Sequence, residues 1–174
     1  MPRARTGPIT RTSSAATCSP CSTPWSSPRP WRCSCSAIGA ARSNQLDLAQ
    51  KAIDRLTAIQ QTLVAQKDAY WADQVEIQRL GAAAWLARAM HDDEKALSLM
   101  RSAANLEAST DKHPVTPGAI VPARELLSEM LLNLGNAQES LAEAQHALRD
   151  APNRRNGLWL ASQATKSVAL LTKR

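Results

Sequence analysis

Apolar residues recur at three- and four-residue spacing through most of the chain, and the interruptions divide it into helices. Leu126, Leu127, Met130, Leu131 and Leu134 make one stripe, Gly135-Asn136 stops it, and Leu141, Ala144, Ala147 and Leu148 make the next before Pro152 ends the pair. Upstream, Leu46, Ala49, Ile53, Leu56, Ile59 and Leu63 line one face of a helix over about 44–66, with Ser43 or Asn44 as its cap. Asp68 opens a second helix whose Trp71, Val75, Ala82, Trp85, Leu86 and Ala89 keep the period, and Trp71 is expected to anchor the core. Gly81 weakens that helix by about 1 kcal/mol relative to alanine and offers a neighbour room for close approach. Asp92 and Asp93 cap a third, carrying Ala96, Leu99, Met100, Ala103 and Leu106. Ser109 to Ala119, STDKHPVTPGA, holds two prolines and a glycine and reads as a loop. Asn153 then caps a last helix bearing Leu158, Ala161, Ala164, Thr165, Val168 and Leu171. The expected architecture is all-α, about six helices in antiparallel pairs.

Leu127, small Ser128, Leu131, Gly135, Ser140, Ala144, Ala147 and Pro152 fall where a tetratricopeptide repeat places its large, small, turn, bulky, alanine and proline residues. Leu80, Ala83, Ala84, Ala87, His91, Ala96, Met100 and Ala103 match the same template, although Ser140 stands where alanine is usual and Ala144 where an aromatic is common. The equivalent positions Ala96 and Ser140 are 44 residues apart, ten more than the repeat period of about 34, so the proline-rich loop takes up an insertion. Leu127 to Ala161 is 34 residues, which makes the last helix the first half of a third unit and a shield for the end of the array. The helix over 44–66 then reads as the second half of an earlier unit whose first half is missing. AYWADQVEIQRLGAAAWLA, ALSLMRSAANLEASTDKHPVTPG and PARELLSEMLLNLGNAQESLAEAQHAL resemble the C-terminal part of large bacterial tetratricopeptide-repeat proteins, over about residues 37–172. The resemblance implies an α-helical solenoid that continues upstream, and it implies no reaction. It also implies close helix crossings at the small residues Ser128 and Ala147.

Composition changes the picture at the N-terminus. Within residues 1–36, eight Ser, six Pro, five Thr, five Arg, four Cys and three Ala make up 31 positions, with no Leu, Val, Asp, Glu or Lys. Such a segment cannot bury enough apolar surface to offset the entropy of ordering and is expected to be a disordered leader, with residues 37–174 forming the helical repeat domain. The formal charge of +6 belongs mostly to this leader, since residues 37–174 hold sixteen Lys and Arg against fifteen Asp and Glu. A nearly neutral body has no basic stripe for nucleic acid. The leader lacks the apolar run of a secretory signal and the amphipathic pattern of a transit peptide. Cys18-x-x-Cys21 and Cys33-x-Cys35 do not make a zinc knuckle, because the second pair is too closely spaced. An abrupt change near Ala37 and a vocabulary of Arg, Ser, Pro, Thr, Cys and Ala fit an out-of-frame reading of a GC-rich gene. On that expectation, another frame should encode repeat sequence running into Ala37.

Catalytic chemistry is not indicated. His91 stands at a helix end, His113 before a proline and His146 on a charged surface, and HExxH, GxSxG and glycine-rich phosphate loops are missing. The opening acids Asp92, Asp93 and Glu94 are accounted for by capping and the helix dipole. Through the repeat resemblance, first-helix positions facing the groove carry Gly81, Trp85 and Arg88, then Glu125, Glu129 and Leu132, then Trp159, Gln163 and Lys166. The candidate peptide groove is therefore Trp85, Arg88, Glu125, Glu129, Trp159, Gln163 and Lys166. Chaperone-binding members of the class grip a peptide carboxylate with paired Lys, Arg and Asn side chains at such positions, and that clamp is missing. Glu125 and Glu129 favour a cationic or polar segment, while Trp85 and Trp159 offer flat apolar surface. The expectation is a non-enzymatic protein-interaction scaffold with a protein or peptide partner, no catalytic residue, cofactor or metal, no nucleic acid and no membrane span. The alternative is an accessory or regulatory module of a longer protein whose activity lies upstream. Without a signal or transmembrane segment the chain as written is expected in the cytoplasm, although a longer parent protein could be exported.

Overall fold

A computed structural model of the chain describes residues 30–110, 119 and 121–172. The leader as far as Arg29, with Cys18 and Cys21, and most of the STDKHPVTPGA stretch, with His113, lie outside the described residues. Among those described, all regular structure is α-helical, in seven helices: α1 (Pro30–Arg42), α2 (Leu46–Ala65), α3 (Ala69–Ala89), α4 (Asp93–Ser109), α5 (Ala123–Asn133), α6 (Ala137–Asp150) and α7 (Arg155–Leu171). No described helix is long and apolar enough to cross a membrane.

Four of the connections are built alike. Asn44, Lys67, His91 and Gly135 adopt positive φ (57°, 60°, 62° and 82°) one residue past a helix cap. In each turn the following amide reaches back six residues' span to the helix: Gln45 N–H to Ala40 O, Asp68 to Leu63, Asp92 to Ala87 and Asn136 to Leu131, at 2.8–3.0 Å. This is the Schellman arrangement, which satisfies the last carbonyls of the helix. The same four residues, Gln45, Asp68, Asp92 and Asn136, are the N-caps of the next helices, so three residues reverse the chain. Asp68 and Asp92 cap as expected, accepting from Trp71 N–H and Lys95 N–H. Only Gly135 visits positive φ without a Cβ penalty. His91→Gly should therefore raise stability by about 0.5–1 kcal/mol and Gly135→Ala lower it by about 1 kcal/mol, measured as opposite shifts of the urea midpoint.

α1 packs on α2, α3 on α4 and α5 on α6, and each pair meets the next through α2–α3, α4–α5 and α6–α7. α1, α3, α5 and α7 also pack on one another in series, whereas α2, α4 and α6 do not approach one another at the backbone. Long side chains span that second gap between α4 and α6, in the 2.8 Å ion pair of Arg101 with Glu139. Each hairpin places two small, fully buried residues twelve apart: Ala37 and Ala49, Ala84 and Ala96, Ser128 and Ser140. In the third, Ser128 Oγ donates to Ser140 O at 2.9 Å and Ser140 Oγ to Ser128 O at 2.8 Å, so each hydroxyl is satisfied by the opposite backbone. Serine thus stands in for alanine without cost to the crossing. Leu56, Val75, Met100, Met130, Leu131 and Leu160 fill the space between these crossings.

Several expectations are corrected. Residues 30–36, grouped with the leader by composition, are the first turns of α1. Pro30 suits the first helical position, and Cys33 packs on the core. α2 is consequently paired rather than orphaned, with Ala37, Ala40 and Ala41 of α1 buried. Neither Ser43 nor Asn44 caps α2, because Asn44 takes the left-handed turn position; neither does Asn153 cap α7, which begins two residues later behind Arg154. Trp71 is not a core anchor: Ala72 and Val75 take the buried face of α3, leaving Trp71 44% exposed and edge-on to Tyr70 at 5.3 Å. α7 docks through Gly157, Leu160 and Ala164, so Leu158, Thr165 and Leu171 face away from α5 and α6. Gly81 serves no close approach, since a Cβ there would meet only Leu126 Cδ1 at 3.9 Å. Gly81→Ala should stabilise the protein by about 0.5–1 kcal/mol, read as a higher melting temperature.

Candidate functional site

The helices α3, α5 and α7 carry the candidate groove residues, and the structure divides those residues into three groups. Trp85, on α3, is 6% exposed. It is covered by Arg42 from the last turn of α1, whose guanidinium carbon lies 4.0 Å from the ring centroid. The same guanidinium reaches Glu129 of α5, with Nη2 to Oε1 at 2.6 Å. Arg42 therefore joins three successive members of the helix series and brings Trp85 and Glu129 into one site. The Trp85 indole N–H is buried without a hydrogen-bond partner. Arg42 was not anticipated as a site residue. Its signal lay in the continuation of a helix through the compositional break at Ala37, which would have put Arg42 at the same helix end as Arg88.

Glu125 goes elsewhere. It is 1% exposed, and its two oxygens accept from Arg154 Nε at 2.7 Å and Asn156 Nδ2 at 2.8 Å, both at the start of α7. Gly157 permits this approach, since a Cβ there would stand 3.0 Å from Leu148 Cδ2 and 3.6 Å from Glu125 Oε1. A buried carboxylate paired with a guanidinium and an amide fixes the docking of α7; it is not offered to a ligand. The expectation that Glu125 faces the groove is corrected, because the short link after Pro152 delivers Arg154 onto it. Arg88 likewise is drawn to the α3–α4 turn, where Nη1 meets Asp93 Oδ1 at 3.0 Å.

The third group is on α7. Trp159 is 53% exposed, Gln163 is half-buried and Lys166 is exposed, and their spacing puts them on one side of the helix. A separate cavity of about 430 Å³ lies between the α3–α4 and α5–α6 hairpins, lined among others by Tyr70, Glu107, Arg124, Asp150 and Arg154. Three of its charged lining residues are engaged in structural bonds: Glu107 Oε2 accepts the Ala123 N–H at 2.6 Å, Arg124 pairs with Glu143 at 2.9 Å, and Arg154 holds Glu125. None of Trp85, Glu129 and Trp159 borders it. Of the two leader cysteines within the described residues, Cys33 is packed and Cys35 exposed, two residues apart on one helix and so on different sides of it.

Comparison with protein-family profiles, with curated proteins and with solved structures gives no match.

Proposed function

We propose that the chain is a tetratricopeptide-type helical solenoid that holds a peptide or partner helix against its serial helices, acting as a protein-interaction scaffold. The observation that carries the reading is the packing order. α1, α3, α5 and α7 pack on one another while α2, α4 and α6 stay apart at the backbone, a packing order that suits the inner layer of a curved array. The recurrence of small residues twelve apart in three hairpins and the four like turns support the same reading. On the inner layer, Trp159 provides an exposed aromatic platform with Gln163 and Lys166 beside it, and Glu129 supplies a carboxylate two helix layers' reach from Arg42. Aromatic surface flanked by isolated polar groups suits an extended or helical peptide.

Panning a random-peptide display library against the full chain tests this. Selected peptides should lose binding with Trp159→Ala and with Glu129→Gln, and keep it with Arg101→Ala, which lies on the α4–α6 side. Recovery of no peptide, or of peptides indifferent to Trp159 and Glu129, overturns the proposal.

A further inference from the structure

The Arg42, Trp85 and Glu129 cluster differs from the other ion pairs in what it is made of. The ion pairs Arg88–Asp93, Arg101–Glu139 and Arg124–Glu143 each join two side chains, whereas Arg42 lies over an aromatic ring and also reaches a carboxylate on a third helix. Ring and carboxylate together match the two properties that separate arginine from lysine, a planar face that stacks and an edge that donates in a fork. The seat is also reachable from solvent: the Arg42 side chain is 42% exposed and that of Glu129 28%. The Trp85 ring beneath is itself nine-tenths buried, its indole N–H has no partner, and the surrounding helices hold it in place. Arg42 is by contrast a long, 42% exposed side chain in the last turn of α1, next to the Asn44 turn.

We propose that Trp85 and Glu129 form a guanidinium-recognition seat, that Arg42 fills it as a displaceable internal occupant, and that the partner presents an arginine side chain. The proposal rests on the scaffold reading and deepens it by naming the ligand group. An internal occupant competes at high effective concentration, so a partner's apparent affinity is reduced by the fraction of time the seat is filled. Removing Arg42 lifts that competition.

The Trp85 indole cross-peak in a ¹⁵N–¹H spectrum of the full chain, assigned with Trp85→Phe, is the readout, and a blocked tetra-arginine peptide is the probe. Arg42→Ala and Arg42→Gln should each tighten binding of this peptide by about tenfold over the native chain. A blocked tetra-lysine peptide should bind the Arg42→Ala chain at least several-fold more weakly than tetra-arginine, and adding Glu129→Gln should abolish the gain. Equal affinity of native and Arg42→Ala chains, or of the arginine and lysine peptides, overturns the proposal. So does loss of the helical circular-dichroism signal in both Arg42 variants, which would make Arg42 a structural clasp. If peptides from the library still bind through Trp159 while the Arg42 variants change nothing, the scaffold stands and the arginine seat alone falls.

Discussion

Arg154→Met should lower the unfolding free energy by about 2–4 kcal/mol and the melting temperature by roughly 5–12 °C. The substitution keeps an aliphatic stem over α7 but strands the Glu125 carboxylate, which is 1% exposed and would retain only Asn156 Nδ2 at 2.8 Å. Breaking a buried pair by removing one partner costs about 3–5 kcal/mol, and the one-third exposure of the Arg154 side chain reduces this. Replacing both charged residues removes the stranded charge as well. Glu125→Met with Arg154→Met should therefore be markedly more stable than Arg154→Met alone, although one substitution has been added. Among the described helices α7 packs on α6 and α5 alone, so the single variant should lose hydrogen-exchange protection in residues 155–171 before any other helix does. A double variant as unstable as the single one, or uniform loss of protection, would show that the pair does not dock α7.

Ala84→Leu carries the second large effect, a loss of about 3 kcal/mol. Ala84 and Ala96 are both fully inaccessible in the α3–α4 hairpin, which sits at the centre of the array and packs on α2 and α5 as well. Added side-chain carbons in a close-packed site cost about 1–3 kcal/mol, occasionally more, and neighbours on both sides leave this pair little room to part. Ala147→Leu looks like an equivalent change in sequence but should be much milder, because Ala147 borders the 430 Å³ cavity into which a longer side chain can extend. Ser128→Ala should be nearly neutral, since Ser140 Oγ keeps its bond to the residue-128 carbonyl. Thermal unfolding of the three variants side by side should rank Ala84→Leu far below the others. A similar loss from Ala147→Leu would contradict the geometry of the α4–α6 seam.

The apolar stripes from Leu46 to Leu148 were legible because neighbouring helices cover an apolar face of each helix, and in the central α3 more than one. Asp68 and Asp92 were legible as caps because a side chain bonding its own backbone is a local matter. The candidate site was less so. The repeat resemblance implied that Trp85 and Glu129 share one face, but the chain alone gave no sign that Arg42, 43 and 87 residues before them, would lie across both. It equally gave no sign that Glu125, one turn from Glu129, would turn toward α7.

By itself, then, the sequence determined an all-helical body, the caps at Asp68 and Asp92 and the turn at Gly135, since these follow from helical period, glycine and cap chemistry over a few residues. Only the tertiary structure decided that a helix runs through the compositional break at Ala37, that Trp71 and Leu158 stay at the surface, and which carboxylate is buried. Those outcomes depend on what packs against each face. An apolar stripe states that a face can be covered, and a carboxylate that it can be paired, but the partner is chosen by the path of the whole array: Arg154 reaches Glu125 because α7 folds back onto α5, and Arg42 reaches Glu129 because α1, α3 and α5 stack in series.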